Sequence, residues 1–270
     1  MQDAIASLTN PKIKALIRLR TRRERDRTGM FLIEGNRELR RALEAGVNLE
    51  ELYICSDLFS GKAEPLLVEA AAAAGAELVE TAEAPFHKVA YRHRPHGLLA
   101  VARQFPTGLD RLDPAQRPLI LVVEGIEKPG NLGTMLRTAE AGGADAVIVC
   151  DPTTDPFNPN VVRASLGTLF RVPLAIAATD DAQAWLRQRN ITTFAATPDA
   201  PLPYWTADYQ KATALAVGSE HYGLSGAWLR GADELVSIPM QGSVDSLNAA
   251  MAAGILLFEA ARQRQDQAEA

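Results

Sequence analysis

The stretch NLGTMLR, residues 131–137, combines polar side chains that bind ligands with a glycine that leaves the backbone open to close approach. Asn131 occupies a position typical of a helix N-cap. Gly133 permits another backbone to come near, and Arg137 supplies a guanidinium that suits phosphate or carboxylate oxygens. Asn131 and Arg137 are separated by about 240° around a helix, so they share a face only loosely. The stretch indicates a polar site on a helix; the alternative is an arginine that caps a local group.

The same turn fails two tests for nucleotide binding. Four residues separate Gly125 from Gly130, but Asn131 and Leu132 follow where a P-loop needs Lys and Ser or Thr. The segment GNLGTM also lacks the G-x-G-x-x-G fingerprint of dinucleotide-binding folds. A kinase or a nicotinamide-dependent oxidoreductase is therefore disfavoured, and binding of ATP or NAD would restore that hypothesis.

Two later clusters have the same character. In GSEHYGLS, residues 218–225, Glu220 follows a predicted strand and is flanked by glycines, which is where α/β sheets bind ligands. In QGSVDSLNAAMAAG, Ser246 and Asn248 lie at the start of a helix of small residues that permits close packing against a partner. The alternatives are a turn acid that caps the next helix and a plain buried C-terminal helix.

The elements that must position these clusters alternate between strands and helices, which predicts an α/β fold. The segment 106–118 holds three prolines and no apolar period, so we place a domain boundary there. The predicted domains are residues 1–105, a linker at 106–117, and residues 118–270. After the linker, LILVVEG is a continuous apolar strand, as a parallel sheet covered on both faces requires.

The net charge of −5 argues against a protein that coats nucleic acid by bulk charge. Residues 11–27 nevertheless hold eight basic and two acidic residues, a local net charge of +6 within a predicted helix at 10–27. Such a stripe suits phosphates while the remaining surface stays acidic. A solvated helix face is the alternative.

Other patterns argue against a membrane-spanning, a secreted or a metal-binding protein. No run of 18 apolar residues predicts a membrane span, and the first residues lack the apolar core of a secretion signal. Cys55 and Cys150 lack a CxxC partner, which favours buried thiols in a reducing cytoplasm. His93 and His96 have no third ligand at metal-binding spacing, so no metal is predicted.

Taken in order, the three clusters resemble the three motifs of the SpoU/TrmH branch of the SPOUT RNA methyltransferases. NLGTMLRTAEAGGADAVIV resembles the first, GSEHYGLS the second and IPMQGSVDSLNAAMAAGILLFE the third. The segment NPNVVRASLGTLFRVPL, residues 158–174, is similar to the family's sequence between the first two motifs. Residues 10–46 are similar to its N-terminal substrate-binding domain, so the resemblance covers the whole chain.

The resemblance implies a C-terminal parallel-sheet domain with a deep trefoil knot, preceded by a smaller α/β domain like RNA-binding ribosomal proteins. It also implies a homodimer that binds RNA across both subunits, with no membrane and no metal. The knot would hold S-adenosylmethionine, mostly through backbone groups. By motif position, the pocket would be lined by Thr197, Gly218, Ile238, Met240 and Leu247.

The implied reaction is methyl transfer to a ribose 2′-hydroxyl. Arg137 matches the family's arginine, which would act either as a base or as a clamp on the adjacent phosphate. The clamp suits a guanidinium better, because this group stays protonated. Asn131 would orient the arginine or the ribose, and Glu220 would hold the arginine or another polar group. Ser246 and Asn248 would complete the polar wall. Phosphate contacts are expected from six basic residues: Lys12, Lys14, Arg18, Arg22, Arg23 and Arg163.

The additional N-terminal domain favours ribosomal RNA over transfer RNA as substrate, and of the ribosomal RNAs we favour that of the large subunit. A transfer-RNA methyltransferase and a non-catalytic RNA-binding member of the family are the alternatives. The presence of all five motif residues argues against the non-catalytic alternative; they are Asn131, Arg137, Glu220, Ser246 and Asn248. The sequence names neither the target nucleotide nor a housekeeping or antibiotic-resistance role.

Overall fold

The computed structural model describes residues 4–268, and its contacts divide the chain into two units. The first unit runs up to Phe105 and includes Asp155–Arg171; the second comprises Pro106–Thr154 and the chain from Val172 onward. The residues of the predicted linker thus group with the second unit. The segment Asp155–Arg171, which falls within the predicted C-terminal domain, groups with the first.

The first unit contains a four-stranded mixed sheet in the order β1-β4-β2-β3, in which β4 is antiparallel to both neighbours and β2 is parallel to β3. Numbered along the whole chain, its strands are β1 (Met30–Glu34), β2 (Leu49–Ile54), β3 (Glu77–Glu80) and β4 (Leu98–Arg103). Its helices are α1 (Pro11–Arg18), α2 (Arg22–Thr28), α3 (Asn36–Glu44), α4 (Ala63–Ala73), α5 (Glu83–Val89) and α7 (Pro159–Ser165).

A buried arginine interrupts the basic stripe. The prediction of one helix over 10–27 is wrong, because α1 ends at Arg18 and α2 begins at Arg22. The side chain of Arg25 is 1% exposed, and its Nη1 donates to the carbonyl oxygens of Leu19 and Arg20 at 2.9 Å each. Carbonyl groups left without helical partners at a break need such donors. Arg25 therefore supports the break instead of facing solvent.

The segment Asp155–Arg171, which is distant in sequence from the rest of the first unit, supplies the carboxylate that pairs with Arg25. Nη2 of Arg25 lies 2.5 Å from Oδ2 of Asp155, whose side chain is 10% exposed. The ring of Phe157 lies 5.1 Å from that of Phe31 on β1. Arg41 also donates to the carbonyl oxygen of Leu166 at 3.2 Å. These contacts explain why Asp155–Arg171 clusters with the N-terminal residues.

The second unit is built on a seven-stranded sheet in the order β7-β6-β5-β10-β8-β11-β9, and every recorded pairing in it is parallel. Its strands are β5 (Leu119–Glu124), β6 (Ala146–Cys150), β7 (Leu174–Ala177), β8 (Thr192–Ala196), β9 (Leu202–Pro203), β10 (Thr213–Val217) and β11 (Glu234–Ser237). Its helices are α6 (Pro129–Ala141), α8 (Thr179–Gln188), α9 (Gly226–Gly231) and α10 (Ala249–Ala268). The predicted parallel α/β sheet is confirmed.

Helices α6 and α10 run side by side in the same direction. The amide of Asn248 bonds to Asn131, a Cβ on Gly254 would contact Thr138, and a Cβ on Gly142 would contact Leu257. Successive residues of one helix thus meet successive residues of the other. This parallel packing brings the start of α10 to the start of α6.

The C-terminal part of α10 is bonded to the segments that lead into β5 and β10. The guanidinium of Arg264 donates to four backbone carbonyls, those of Arg117, Pro118, Tyr209 and Lys211. These residues precede β5 and β10. The helix is therefore held to α6 at its start and, near its other end, to the residues that precede the central strands. None of the described helices combines the length and the hydropathy that a bilayer crossing requires.

Candidate active site

A hydrogen-bonded cluster joins the three motifs at the carboxyl ends of the strands in the second unit. The Asn131 amide donates to Oε1 of Glu220, and Nδ2 of Asn248 donates to Oδ1 of Asn131 at 3.2 Å. Asn131 is 89 residues from Glu220 and 117 from Asn248 along the chain. Three of the five predicted catalytic residues therefore lie together, in a position where α/β sheets bind ligands.

The N-cap of helix α6 differs from the one expected. Helix α6 is capped at Lys128, so Asn131 lies inside its first turn and its side chain is free to bond across the site. At α10, Oδ1 of Asn248 accepts the backbone N–H of Ala250 at 3.0 Å, which makes Asn248 the capping side chain. One side chain thus starts α10 and links it to α6. Asn131 as an N-cap is a wrong prediction.

Arg137 and Ser246 stand outside this cluster. Both side chains are exposed. Within the described residues, Arg137 has no hydrogen bond or ion pair, although it shares α6 with Asn131. An exposed guanidinium without an internal partner is available to an anion. The structure therefore places Arg137 as a group that faces outward, while Asn131, Glu220 and Asn248 are held by one another.

The loop that carries Glu220 is closed on itself. The backbone groups of Ser219 and Gly223 exchange two hydrogen bonds of 3.1 Å. A Cβ on Gly218 would lie 2.0 Å from the carbonyl carbon of Gly223 and 2.2 Å from the nitrogen of Leu224. Since real Cβ atoms do not come that close to backbone, only glycine fits at position 218.

We expect Gly218→Ala to open this loop and to lower the affinity for a ligand bound beside it by about tenfold or more, because overpacking of this kind costs about 1–3 kcal/mol. Isothermal titration with S-adenosylmethionine measures the effect. Gly130→Ala is the control for stability, since its Cβ would meet nothing within 4 Å. Unchanged affinity in Gly218→Ala would contradict the role of this close contact.

The five predicted cofactor residues follow three adjacent strands, β10, β8 and β11, at one edge of the sheet. The N–H of Thr197 is bonded to the carbonyl of Val236 at 3.0 Å, so the turn after β8 is held to β11. Among the described turn and loop hydrogen bonds between backbone groups, none involves residues 240–246. The backbone of this loop is thus open to a ligand. This fits a cofactor recognised mainly through backbone groups.

Sequence reasoning missed a buried carboxylate that organises the site. Glu124 ends β5 and is 6% exposed. Its Oε1 accepts the hydroxyl of Thr179 at 2.7 Å, and its Oε2 accepts the N–H of Ser225 at 2.6 Å. The loop from Gly218 to Ser225 is therefore anchored to the strand that leads into α6. The sequence does show an acid at the end of an apolar strand. Its hydrogen-bond partners lie 55 and 101 residues away, so no local pattern indicates them.

We expect Glu124→Ala to lower the free energy of unfolding by about 1–3 kcal/mol, because two buried donors lose their acceptor. The turnover number should fall about 10- to 100-fold through misplacement of Glu220, with a smaller change in KM. Glu124→Gln keeps one acceptor oxygen and should recover part of both losses. Thermal denaturation and methyl-transfer kinetics measure them, with the exposed Asp181→Ala as control. Full turnover in Glu124→Ala would refute the positioning role.

The free thiol of Cys150 is buried next to this network. Burial raises the pKa of Cys150 to about 12, and the nearby charges of Asp151 and Glu124 add to the rise. A protonated thiol is a poor nucleophile. In the described part of the chain, no group of three or more His, Cys, Asp and Glu side chains is placed to hold a metal ion.

The basic residues predicted to contact RNA have different environments in the first unit. Lys12 is tied to Glu51 at 2.6 Å and Glu77 at 2.9 Å, and these carboxylates raise its pKa against the opposing effect of burial. Arg18 and Arg22 lie 3.5 Å from Glu24 and Asp26. Much of the stripe is therefore neutralised locally.

The other three predicted contacts are more open. Lys14, Arg23 and Arg163 are exposed and have no ion pair among the described residues. Arg163 lies on α7, and its charge acts on Glu34, whose pKa is raised by burial and lowered in part by hydrogen bonds and nearby arginines. These three side chains are available to phosphates.

A parallel α/β sheet with polar residues gathered beyond the carboxyl ends of its strands is typical of an α/β enzyme whose active site lies at that edge of the sheet. The family models make this class specific. Residues 118–258 match the SpoU rRNA Methylase family, and residues 10–100 match the MRM3-like substrate binding domain. The chain belongs to the SpoU rRNA methylase family.

Relatives of known activity align over nearly the whole chain. A 23S rRNA (guanosine(2553)-2′-O)-methyltransferase of Bacillus subtilis is 32% identical over 94% of this chain and 97% of its own. A crystal structure of an RNA 2′-O ribose methyltransferase is 42% identical, covers 97% of this chain and 100% of its own, and superposes with a TM-score of 0.85. An AdoMet-bound rRNA methyltransferase from Sinorhizobium meliloti is 33% identical, covers 96% and 97%, and has a TM-score of 0.88.

Proposed function

We propose that this protein transfers a methyl group from S-adenosylmethionine to a ribose 2′-hydroxyl of large-subunit ribosomal RNA. The observation that carries the proposal is the hydrogen-bonded cluster of Asn131, Glu220 and Asn248, together with the exposed Arg137 on the same helix α6 as Asn131. The similar proteins that act on 23S rRNA and bind AdoMet support the substrate and the cofactor. A cytoplasmic location is part of the proposal and is supported by ribosomal RNA as the substrate.

The cofactor supplies a sulfonium-activated methyl group when bound, and the chain's own residues must present the hydroxyl. Asn131 is held from both sides, because its NH2 donates to Glu220 and its oxygen accepts from Asn248. Oε2 of Glu220 is buried and has no partner among the described residues, so it can accept a hydrogen bond from an incoming group. Arg137 clamps the adjacent phosphate and stabilises negative charge that develops on the ribose oxygen.

The cofactor pocket is assigned to Thr197, Gly218, Ile238, Met240 and Leu247, with Ser246 on the wall beside it. They follow the neighbouring strands β10, β8 and β11, and the open backbone of residues 240–246 supports the assignment. A trefoil knot is part of the proposal. It is supported by the course of the chain, which leaves β11 near one edge of the sheet and returns in α10 to pack on β10, β5 and α6.

A homodimer is also proposed. On α10, Met251 is 60% exposed and Phe258 is 53% exposed, and their spacing of seven residues puts them on one face. Gly254 and Leu257, which pack on α6, lie to one side of this face. A large exposed apolar pair on a small-residue helix suits a second copy of the chain.

In the first unit, Lys14, Arg23 and Arg163 are the phosphate contacts we favour, while Lys12, Arg18 and Arg22 contribute less because they are paired.

Transfer of a labelled methyl group from S-adenosylmethionine tests the function. The substrates are unmodified large-subunit ribosomal RNA, small-subunit ribosomal RNA and bulk transfer RNA, followed by digestion to nucleosides. A 2′-O-methylated nucleoside from the large-subunit RNA is the expected product. Label in transfer RNA would reassign the substrate, and label on a base would refute the ribose mechanism. Cofactor binding without transfer to any RNA would favour the non-catalytic alternative.

A further inference from the structure

We propose that Tyr222, supported by His221, is a stacking platform for a nucleobase next to the target ribose. The inference rests on the proposed function, since it assigns the platform to the RNA of that reaction. In the described part of the chain, Tyr222 is the most exposed of the large hydrophobic side chains, at 82%. A ring with that much exposed area leaves its faces open to solvent.

The ring is presented by a loop that cannot easily fold away. Gly218 admits no side chain, and the bridge between Ser219 and Gly223 closes the loop. The N–H of Tyr222 also donates to Oγ of Ser219 at 3.1 Å. The imidazole of His221 meets the ring edge-on, with centroids 5.3 Å apart and planes at 78°. A rigid aromatic loses little conformational entropy when a flat partner binds.

The location of the ring selects the partner. Tyr222 lies two residues after Glu220, so the Cα atoms of the two residues are within about 7 Å of each other. Glu220 in turn accepts a hydrogen bond from Asn131. A ribose presented to that cluster therefore carries its own base, or the next one, into the reach of the ring. Sequence-specific RNA recognition usually stacks unpaired bases on aromatic side chains. The occupant is thus an unstacked nucleobase of the substrate RNA.

Substitutions at one position separate stacking from other roles. We expect Tyr222→Ala to raise KM for unmodified 23S rRNA transcript about tenfold, with KM for S-adenosylmethionine and turnover at saturating RNA unchanged. Tyr222→Phe and Tyr222→Trp keep a ring and should stay near the wild-type value. Tyr222→Leu keeps apolar bulk without a ring and should behave like alanine.

A matched aromatic pair elsewhere in the same unit provides the control. Tyr204 and Trp205 also meet edge-on, with centroids 5.1 Å apart, and Trp205 is 51% exposed. They follow β9, three strands away from β10 in the sheet. Trp205→Ala should leave KM for RNA unchanged. An equal rise in this variant would show a general effect of surface aromatics and would overturn the assignment.

Two further outcomes would also overturn it: a wild-type KM in Tyr222→Ala, or full rescue by leucine. Molecular mass by light scattering is measured for each variant, and loss of a dimer in Tyr222→Ala would show that the ring contacts the second copy instead of RNA. Equilibrium binding of the same RNA without the methyl donor keeps the two proposals separate. If the wild type binds RNA through Tyr222 but methylates no ribose, the proposed function fails and the platform stands.

Discussion

Arg137→Ala should lower the turnover number by about 10²- to 10³-fold, the usual effect of removing a group that stabilises developing oxyanion charge. The side chain is exposed and has no hydrogen bond or ion pair among the described residues, so the free energy of unfolding should change by less than about 0.5 kcal/mol. The affinity for S-adenosylmethionine should stay the same, because the predicted pocket follows other strands. Single-turnover methyl transfer with cofactor titration measures these quantities.

Arg137→Lys distinguishes the two roles considered for the arginine. Lysine keeps the positive charge but loses the planar bidentate fork, so a phosphate clamp should be weakened and not abolished. A clamp leaves the shape of the pH–rate profile unchanged in the lysine variant. A base would move the rise of the profile to lower pH, since lysine loses its proton more readily than arginine. Arg187→Ala, an exposed arginine on α8, is the matched control. Wild-type turnover in Arg137→Ala would remove the residue from the mechanism.

Arg25→Met should lower the free energy of unfolding of the first unit by about 3–5 kcal/mol, because it leaves the carboxylate of Asp155 buried without its cation. It also strips the carbonyls of Leu19 and Arg20 of their donor. Urea denaturation measures the loss, and hydrogen exchange over residues 19–21 should show where the structure opens.

The double variant Arg25→Met/Asp155→Leu tests the cause. Replacing both members of a buried ion pair by apolar residues is often neutral or stabilising, so this variant should recover much of the stability that the single change removes. Arg23→Ala, an exposed arginine two residues away, should have no measurable effect. A double variant no more stable than Arg25→Met would show that the carbonyl contacts, and not the uncompensated charge, account for the loss.

The pattern of apolar runs was enough to predict the parallel sheet. Strands β5, β6 and β10 are buried along their whole length, and a strand covered on both faces must be apolar throughout. The break between α1 and α2 was not predictable in the same way. It depends on Arg25 turning inward, and the charge of Arg25 suggested the opposite. Helix α5 was also missed, because its short sequence EAPFHKV has no clear apolar period.

The candidate site was predictable in composition and only partly in arrangement. Polar residues and glycines after successive strands identified Asn131, Glu220 and Asn248, because the carboxyl ends of parallel strands share one edge. The roles of individual atoms depend on contacts between distant segments. The capping of α10 by Asn248 and the anchoring of the Glu220 loop by Glu124 join residues that no local pattern connects.

The pairing of Arg25 with Asp155 has a consequence for how the protein is made. The two residues are 130 positions apart, and the second unit's first 49 residues, from Pro106 to Thr154, lie between the end of the first unit's main segment and Asp155. At ribosomal speeds of about 5–20 residues per second, Asp155 is synthesised roughly 7 to 26 s after Arg25. The nascent N-terminal segment must therefore wait, with its inward arginine unneutralised, until the first 49 residues of the second unit have been translated. A gene fragment that stops at Phe105 would never supply the missing carboxylate.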